Sequence, residues 1–154
     1  MNGNSGLSRR GLLPLAMSAL LAPAIGRAQG RPRIEVYKTP TCGCCGAWAD
    51  HMERAGFPVS RHDLEVLDPI KTRAGVPAEL ESCHTAFVAG YALEGHVPLA
   101  AIEKLLAERP AGRGLAVPGM PIGSPGMESG NRREPYTVWF FADRRRPQSF
   151  FGVD

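Results

Sequence analysis

The chain of 154 residues has almost no charge to spare. Its formal +3 comes from 18 Lys and Arg against 15 Asp and Glu, and three of the arginines, Arg9, Arg10 and Arg27, stand in an acid-free stretch of 28 residues at the start. From residue 29 onward the formal charge is zero, which leaves no general basic face for nucleic acid. Nor does an apolar run reach the roughly 20 residues of a membrane span. The longest, Gly11–Ile25, is shorter and is interrupted by Pro14 and Pro23. Four cysteines are too few for a disulfide scaffold at this length. No phosphate-cradling glycine motif, serine triad or carboxylate pair stands out, and there is no internal repeat or low-complexity linker. Beyond residue 28 methionine is reduced to Met52, Met120 and Met127.

What is there suits one domain. A hydrophobic content of 44% is enough for a core and excludes wholesale disorder. Residues 1–28 have the layout of an export signal: a charged region ending at Arg9-Arg10, an apolar run, then Gly26-Arg27-Ala28 with small residues at the −3 and −1 positions of a cut. Ser8-Arg9-Arg10-Gly11-Leu12-Leu13 also fits a twin-arginine signal, so the export route is twin-arginine or general secretory. The expectation is a cleaved signal over 1–28 and a single domain over 29–154, working in the periplasm, where disulfides persist.

Hydrophobic pattern and turn residues predict the element order. Residues 33–38 read as a strand, 43–55 as a helix stopped by Gly56, 58–64 as a strand and 68–73 as a helix behind Asp68-Pro69. Residues 78–82 read as a further helical turn, 85–89 and 91–93 as antiparallel strands, and 98–108 as a helix ended by Pro110. This is a βαβ unit followed by ββα, an α/β order of the thioredoxin-like kind. Residues 111–131 carry six glycines and three prolines and are expected to be irregular. Residues 136–142 and 148–153 read as a C-terminal β-hairpin.

Cys42-Gly43-Cys44-Cys45 falls between the first strand and the first helix. Cys42 and Cys45 have C-x-x-C spacing, and a helix N-terminus favours thiolate over thiol. A third thiol beside a redox pair invites mispairing, and adjacent cysteines bridge poorly because a disulfide wants Cα atoms about 5.5 Å apart. Metal binding accounts for three thiols most economically. Two structural disulfides are the bland alternative, although such short loops gain little from closure. In a thioredoxin-like topology Cys83 and His84 enter the third strand beside the cysteine turn, which adds a fourth thiol and an imidazole.

Met120 and Met127 lie in Gly119-Met120-Pro121 and Gly126-Met127-Glu128, outside helix and strand patterns. They are either apolar plugs or soft ligands. Beside thiolates they favour Cu(I), the ion whose preferences match thiolate plus thioether. Zinc in a Cys₃His site of Cys42, Cys45, Cys83 and His84 competes, but leaves Cys44 and both methionines without a role. Met52 fits the helix stripe as a core residue. His51 reads as surface, His62 as structural or solvated, and His96 as a packing residue or a further ligand.

The runs Tyr37–Cys45 with Trp48, Ser82–Thr85, Glu94–Pro98, Gly114–Pro121 and Gly123–Glu128 resemble the CopG-like family, domain-of-unknown-function family 411. The resemblance spans about residues 33–153. It implies a thioredoxin-like fold, periplasmic copper handling in copper resistance, and a cysteine-bridged cluster of several copper ions. Carried over by position, Cys42, Cys44, Cys45 and Cys83 would be the sulfur ligands, Met120 and Met127 auxiliary ligands, and His84 and His96 further ones. Copper ions are then the expected partners, with other periplasmic copper-handling or efflux proteins beside them. Conventional enzyme chemistry is not expected. The rival readings are a thiol–disulfide oxidoreductase built on Cys42 and Cys45 and a structural zinc domain.

Overall fold

The computed structural model describes residues 1–3 and 30–154, so the expected export signal falls almost wholly outside the described residues. Strand β1 (Ile34–Lys38) alternates buried and half-buried positions, placing Ile34, Val36 and Lys38 on one face and Glu35 and Tyr37 on the other. Helix α1 (Gly43–Arg54) buries Cys45, Trp48, Ala49 and Met52, the spacing of one helical stripe. Gly56, at φ +89°, turns the chain out of it. Strand β2 (Val59–Asp63) returns parallel to β1. Helix α2 (Asp68–Ala74) carries Pro69 in its first turn, where no helical N–H is lost, and ends on Gly75 at φ +70°. Strands β3 (Thr85–Val88) and β4 (Tyr91–Glu94) form a hairpin over Ala89 and Gly90, both left-handed as a tight two-residue turn requires. Helix α3 (Leu99–Glu108) crosses to β5 (Gly114–Ala116), which lies parallel to β4. Strands β6 (Tyr136–Phe141) and β7 (Gln148–Val153) pair antiparallel and complete one seven-stranded sheet in the order β2-β1-β3-β4-β5-β6-β7.

The result is a mixed α/β fold of one sheet and three α-helices among the described residues. The larger core lies on the face covered by α1 and α3, with Ile34, Val36, Trp48, Met52, Leu93, Ile102, Leu105 and Leu115 packed together. A smaller cluster on the opposite face joins Ala74 and Leu80 to Ala92, Ala116 and Phe141. Among the described residues no helix is long and apolar enough to cross a membrane.

One expectation needs correction. Residues 111–131 are not irregular throughout, because β5 lies inside them and bridges the first half of the sheet to the C-terminal hairpin. The glycine that made the segment look like loop is what lets the strand dock. A methyl on Gly114 would collide with the carbonyl oxygen of Ala92 and lie 2.7 Å from its carbon.

Register explains where a site can form. Tyr37 at the end of β1 pairs with Thr85 at the start of β3, Thr85 pairs with Glu94 at the end of β4, and Glu94 pairs with Ala116 at the end of β5. The cysteine turn, the Ser82–His84 segment, the Gly95–Val97 segment and the glycine-rich loop therefore all leave the sheet at the same end. Gly114→Ala should separate β4 from β5 and cost about 1–3 kcal/mol of stability, an overpacking penalty with no flexible side chain to absorb it. A lowered urea midpoint at unchanged slope is the expected result.

Candidate metal centre

Cys42 is the N-cap of α1, with extended backbone and no side-chain capping bond, so Cys44 and Cys45 fall in the first turn. Cys45 is fully buried, while Cys42, Cys44 and Cys83 are half-buried. The four sulfurs of Cys42, Cys44, Cys45 and Cys83 lie within 4.8 Å of one another. Cys42 and Cys45 are joined by a disulfide, with Cα atoms 5.4 Å apart, and Cys44 and Cys83 are free thiols. Cys44 Sγ is 3.6 Å from Cys42 Sγ, and Cys45 Sγ is 3.6 Å from the carbonyl of Cys83. The spacing argument for thiolate ligands thus meets a bonded C-x-x-C pair, and a four-thiol centre requires reduction of that bond.

Cys83 belongs to a second group as well, with His84 and His96, whose ligand atoms also lie within 4.8 Å of one another. His96 Nε2 is 3.1 Å from Cys83 Sγ, and His84 Nδ1 is 3.4 Å from it. The tautomer of His96 follows from its other nitrogen. Nδ1 is 2.7 Å from the carbonyl of Pro125, which can only accept, so Nδ1 carries the proton and donates, and the Nε2 lone pair faces the sulfur. This is the outer-sphere arrangement that orients a metal-binding imidazole. His84 is fully buried under the Trp48 indole, ring centroids 4.7 Å apart, and its Nε2 has no hydrogen-bond partner among the described residues. Trp48 is fixed in turn by donating its Nε1–H to the carbonyl of Val97 at 2.9 Å.

Burial sets the protonation of this group. It pushes His84 well below the ordinary histidine value, and the neighbouring His96 ring and Lys71 ammonium further oppose its protonation. Burial lowers His96 too, against the opposing pull of the Pro125 carbonyl and Glu128. Both imidazoles are accordingly neutral at pH 7, the form that binds metal. Burial pushes the Cys83 thiol up to about 12, reinforced by the Cys44 sulfur beside it. Cys83 is not a spontaneous thiolate. A cation among the sulfurs would supply the charge that holds it deprotonated.

The glycine-rich loop closes over this end of the sheet. Gly126 packs so tightly on α1 that a side-chain carbon there would lie 2.6 Å from the Cys44 carbonyl and 2.8 Å from the Trp48 nitrogen, and its φ of +85° suits glycine alone. Ser82 Oγ donates to the carbonyl of Gly119 at 2.6 Å. His51 Nε2 lies 2.7 Å from Glu128 Oε1, so this histidine straps the loop to α1 instead of standing free at the surface. Met127, between Gly126 and Glu128, is half-buried, whereas Met120 is 51% exposed. Met52 is a core residue, and His62 stacks on Tyr37 and pairs with Glu35 at 2.6 Å, away from the cysteines.

Of the eight candidate ligands, then, the four cysteines and two histidines form one contiguous set sharing Cys83, and the loop bearing the methionines is fastened beside it. Sequence reasoning missed the buried polar residues behind the set. Lys71 and Glu94 are 6% and 0% exposed. The available signal was a lysine three residues from buried Ala74 on a short helix, and a glutamate ending an otherwise apolar strand.

The family described as "Protein of unknown function, DUF411" matches residues 80–127, from the helical turn before Cys83 to Met127. No curated protein matches the chain. Among solved structures, "Copper resistance protein copG- Form 2" is 40% identical at a TM-score of 0.75, covering 80% of this chain and 99% of that one. "Copper resistance protein copG- Form 1" is 41% identical at the same TM-score, covering 80% and 98%. With that identity sustained over nearly the full length of the solved protein, this chain belongs to the CopG family of copper-resistance proteins.

Proposed function

We propose that the protein binds Cu(I) in the periplasm as part of copper resistance, holding several ions among the thiolates of Cys42, Cys44, Cys45 and Cys83. The observation that carries this reading is the convergence of four sulfurs within 4.8 Å, with two neutral imidazoles on the Cys83 side. Bridging sulfur is the natural ligand for several soft cations at that spacing, and imidazole completes coordination where thiolate runs out. Met120 and Met127 serve as auxiliary ligands on the loop, Met127 half-buried and Met120 exposed. Kinship with a copper resistance protein supports copper over zinc as cargo.

The same reading takes the fold as thioredoxin-like, supported by the βαβ and ββα halves and the strand order β2-β1-β3-β4. It takes residues 1–28 as a cleaved export signal, supported by Arg9-Arg10 and the apolar run behind them. Efflux or other copper-handling proteins would be the partners that receive the ions.

The Cys42–Cys45 bond favours a second reading, thiol–disulfide exchange. In that reading Cys42 and Cys45 alone are the redox pair: as thiols they reduce a substrate disulfide to two thiols and are themselves oxidised to the Cys42–Cys45 bond.

Three outcomes separate these readings. Fully reduced protein titrated anaerobically with Cu(I) against a chromogenic chelator should take up more than one ion per chain; no uptake, or tight one-to-one zinc binding in its place, contradicts the cluster. Cys42→Ser or Cys45→Ser should remove most of that capacity, while Met127→Leu should weaken binding about tenfold, near 1.4 kcal/mol, at an unchanged unfolding midpoint. Insulin reduction that survives Cys44→Ser and Cys83→Ser together would favour the oxidoreductase instead.

A further inference from the structure

Behind Cys83 lies a polar network with no solvent to share. Lys71 on α2 and Glu94 at the end of β4 form a buried ion pair. The Lys71 ammonium has three N–H donors, and three acceptors surround it: Glu94 Oε1, the Ser82 carbonyl at 2.9 Å and Thr85 Oγ1 at 3.4 Å. Glu94 Oε1 also accepts the Ser82 backbone N–H at 2.6 Å, and its Oε2 accepts the Thr85 hydroxyl at 2.6 Å. Every charged atom is matched, which is the condition under which a buried pair is tolerable.

The consequence falls on Ser82–His84. Ser82 is gripped at both backbone groups, its N–H by Glu94 and its C=O by Lys71. Thr85 is gripped by the same carboxylate, and the carbonyl of His84 accepts the Gly95 N–H at 2.9 Å. Cys83 is thus fastened on both sides, while its own sulfur faces His84 and His96 and touches the Ser82 hydroxyl at 4.0 Å. A salt bridge is a costly means of stabilisation, since an apolar pair of equal volume is often as good. What this one does that an apolar pair cannot is define the position of a backbone segment that belongs to neither helix nor strand.

We propose that the Lys71–Glu94 pair is a positioning device for Cys83, clamping Ser82 from both sides so that the fourth sulfur meets the helix-borne cysteines and His96. The device extends to the methionine loop, because the clamped Ser82 donates its hydroxyl to the carbonyl of Gly119. Gly95 makes room for it: a side-chain carbon there would lie 2.5 Å from Ser82 Oγ and 2.6 Å from the Val117 carbonyl. The placement of Cys83 is a property of the protein itself, but its use in copper binding rests on the function proposed above.

The test is thiol alkylation of metal-free full-length protein carrying the Cys42–Cys45 bond, read by mass spectrometry as the Cys83-to-Cys44 ratio. Lys71→Met/Glu94→Gln keeps volume and removes both charges; its folding is checked by thermal melting. The expected result is a folded protein in which Cys83 alkylates about tenfold faster relative to Cys44 and Cu(I) affinity falls by about the same factor, close to one decade. Lys104→Met/Glu108→Gln, which removes an exposed ion pair on α3, should leave the ratio as in the unmodified protein. A folded double variant with unchanged ratio overturns the proposal. If the double variant melts, Glu94→Gln is read the same way, and amide exchange in the unmodified protein decides independently: Ser82 N–H should exchange as slowly as the amides of β3, and free exchange contradicts the clamp. Should the unmodified protein bind no Cu(I), the copper function fails while the alkylation ratio still judges the device.

Discussion

The architecture of this end of the molecule depends on one packing event, the seating of Ser82–His84 against the first turn of α1. Cys83 is the residue both candidate ligand groups share: its sulfur meets the three helix-start cysteines on one side and the imidazoles of His84 and His96 on the other. The other ordered features around it serve that contact. Trp48 covers His84 and is locked by Val97, the Pro125 carbonyl sets the tautomer of His96, and Gly126 allows the loop to lie directly on the backbone of Cys44 and Trp48. Displacing Cys83 by an ångström or two would divide one centre into two incomplete ones.

The physical chemistry of the two sides differs. The helix-borne cysteines sit at free N–H groups and a positive dipole end, which suit a thiolate or a reactive disulfide. Cys83 lies in a desolvated corner where its thiol is held in the neutral form. A metal centre built on these residues, as proposed, would be selective by charge balance. Neutral imidazoles and a high-pKa thiol offer little to water or to protons, and much to a soft cation that brings its own positive charge. The near-neutral chain past residue 28 fits that logic, because recognition then depends on ligand softness and not on a long-range field.

Much of this was legible in the residues. The apolar stripe of Ala47, Trp48 and Met52 marked α1, although the face it buries carries Cys45 and Ala49 and leaves Ala47 half-buried, and the thioredoxin-like element order put Cys83, at the entry to the third strand, beside the first three cysteines. Strand β5 was not legible, since Gly114-Leu115-Ala116 is too short for a periodic signal and Gly114 has the look of a loop residue while serving a close parallel pairing. The role of His51 was hidden because its partner, Glu128, is distant in sequence. Lys71 and Glu94 were hidden for the same reason. A charged residue reads as surface until its opposite number is found, and these two lie on different elements that meet only in the folded chain.

The most direct test of the account is copper K-edge X-ray absorption on fully reduced, Cu(I)-loaded protein. It predicts a first coordination shell dominated by sulfur, a minor nitrogen contribution from imidazole, and clear copper–copper scattering from ions bridged by shared thiolates. A shell of nitrogen and oxygen, or sulfur ligation with no copper–copper scattering at any loading, would contradict a cysteine-bridged centre.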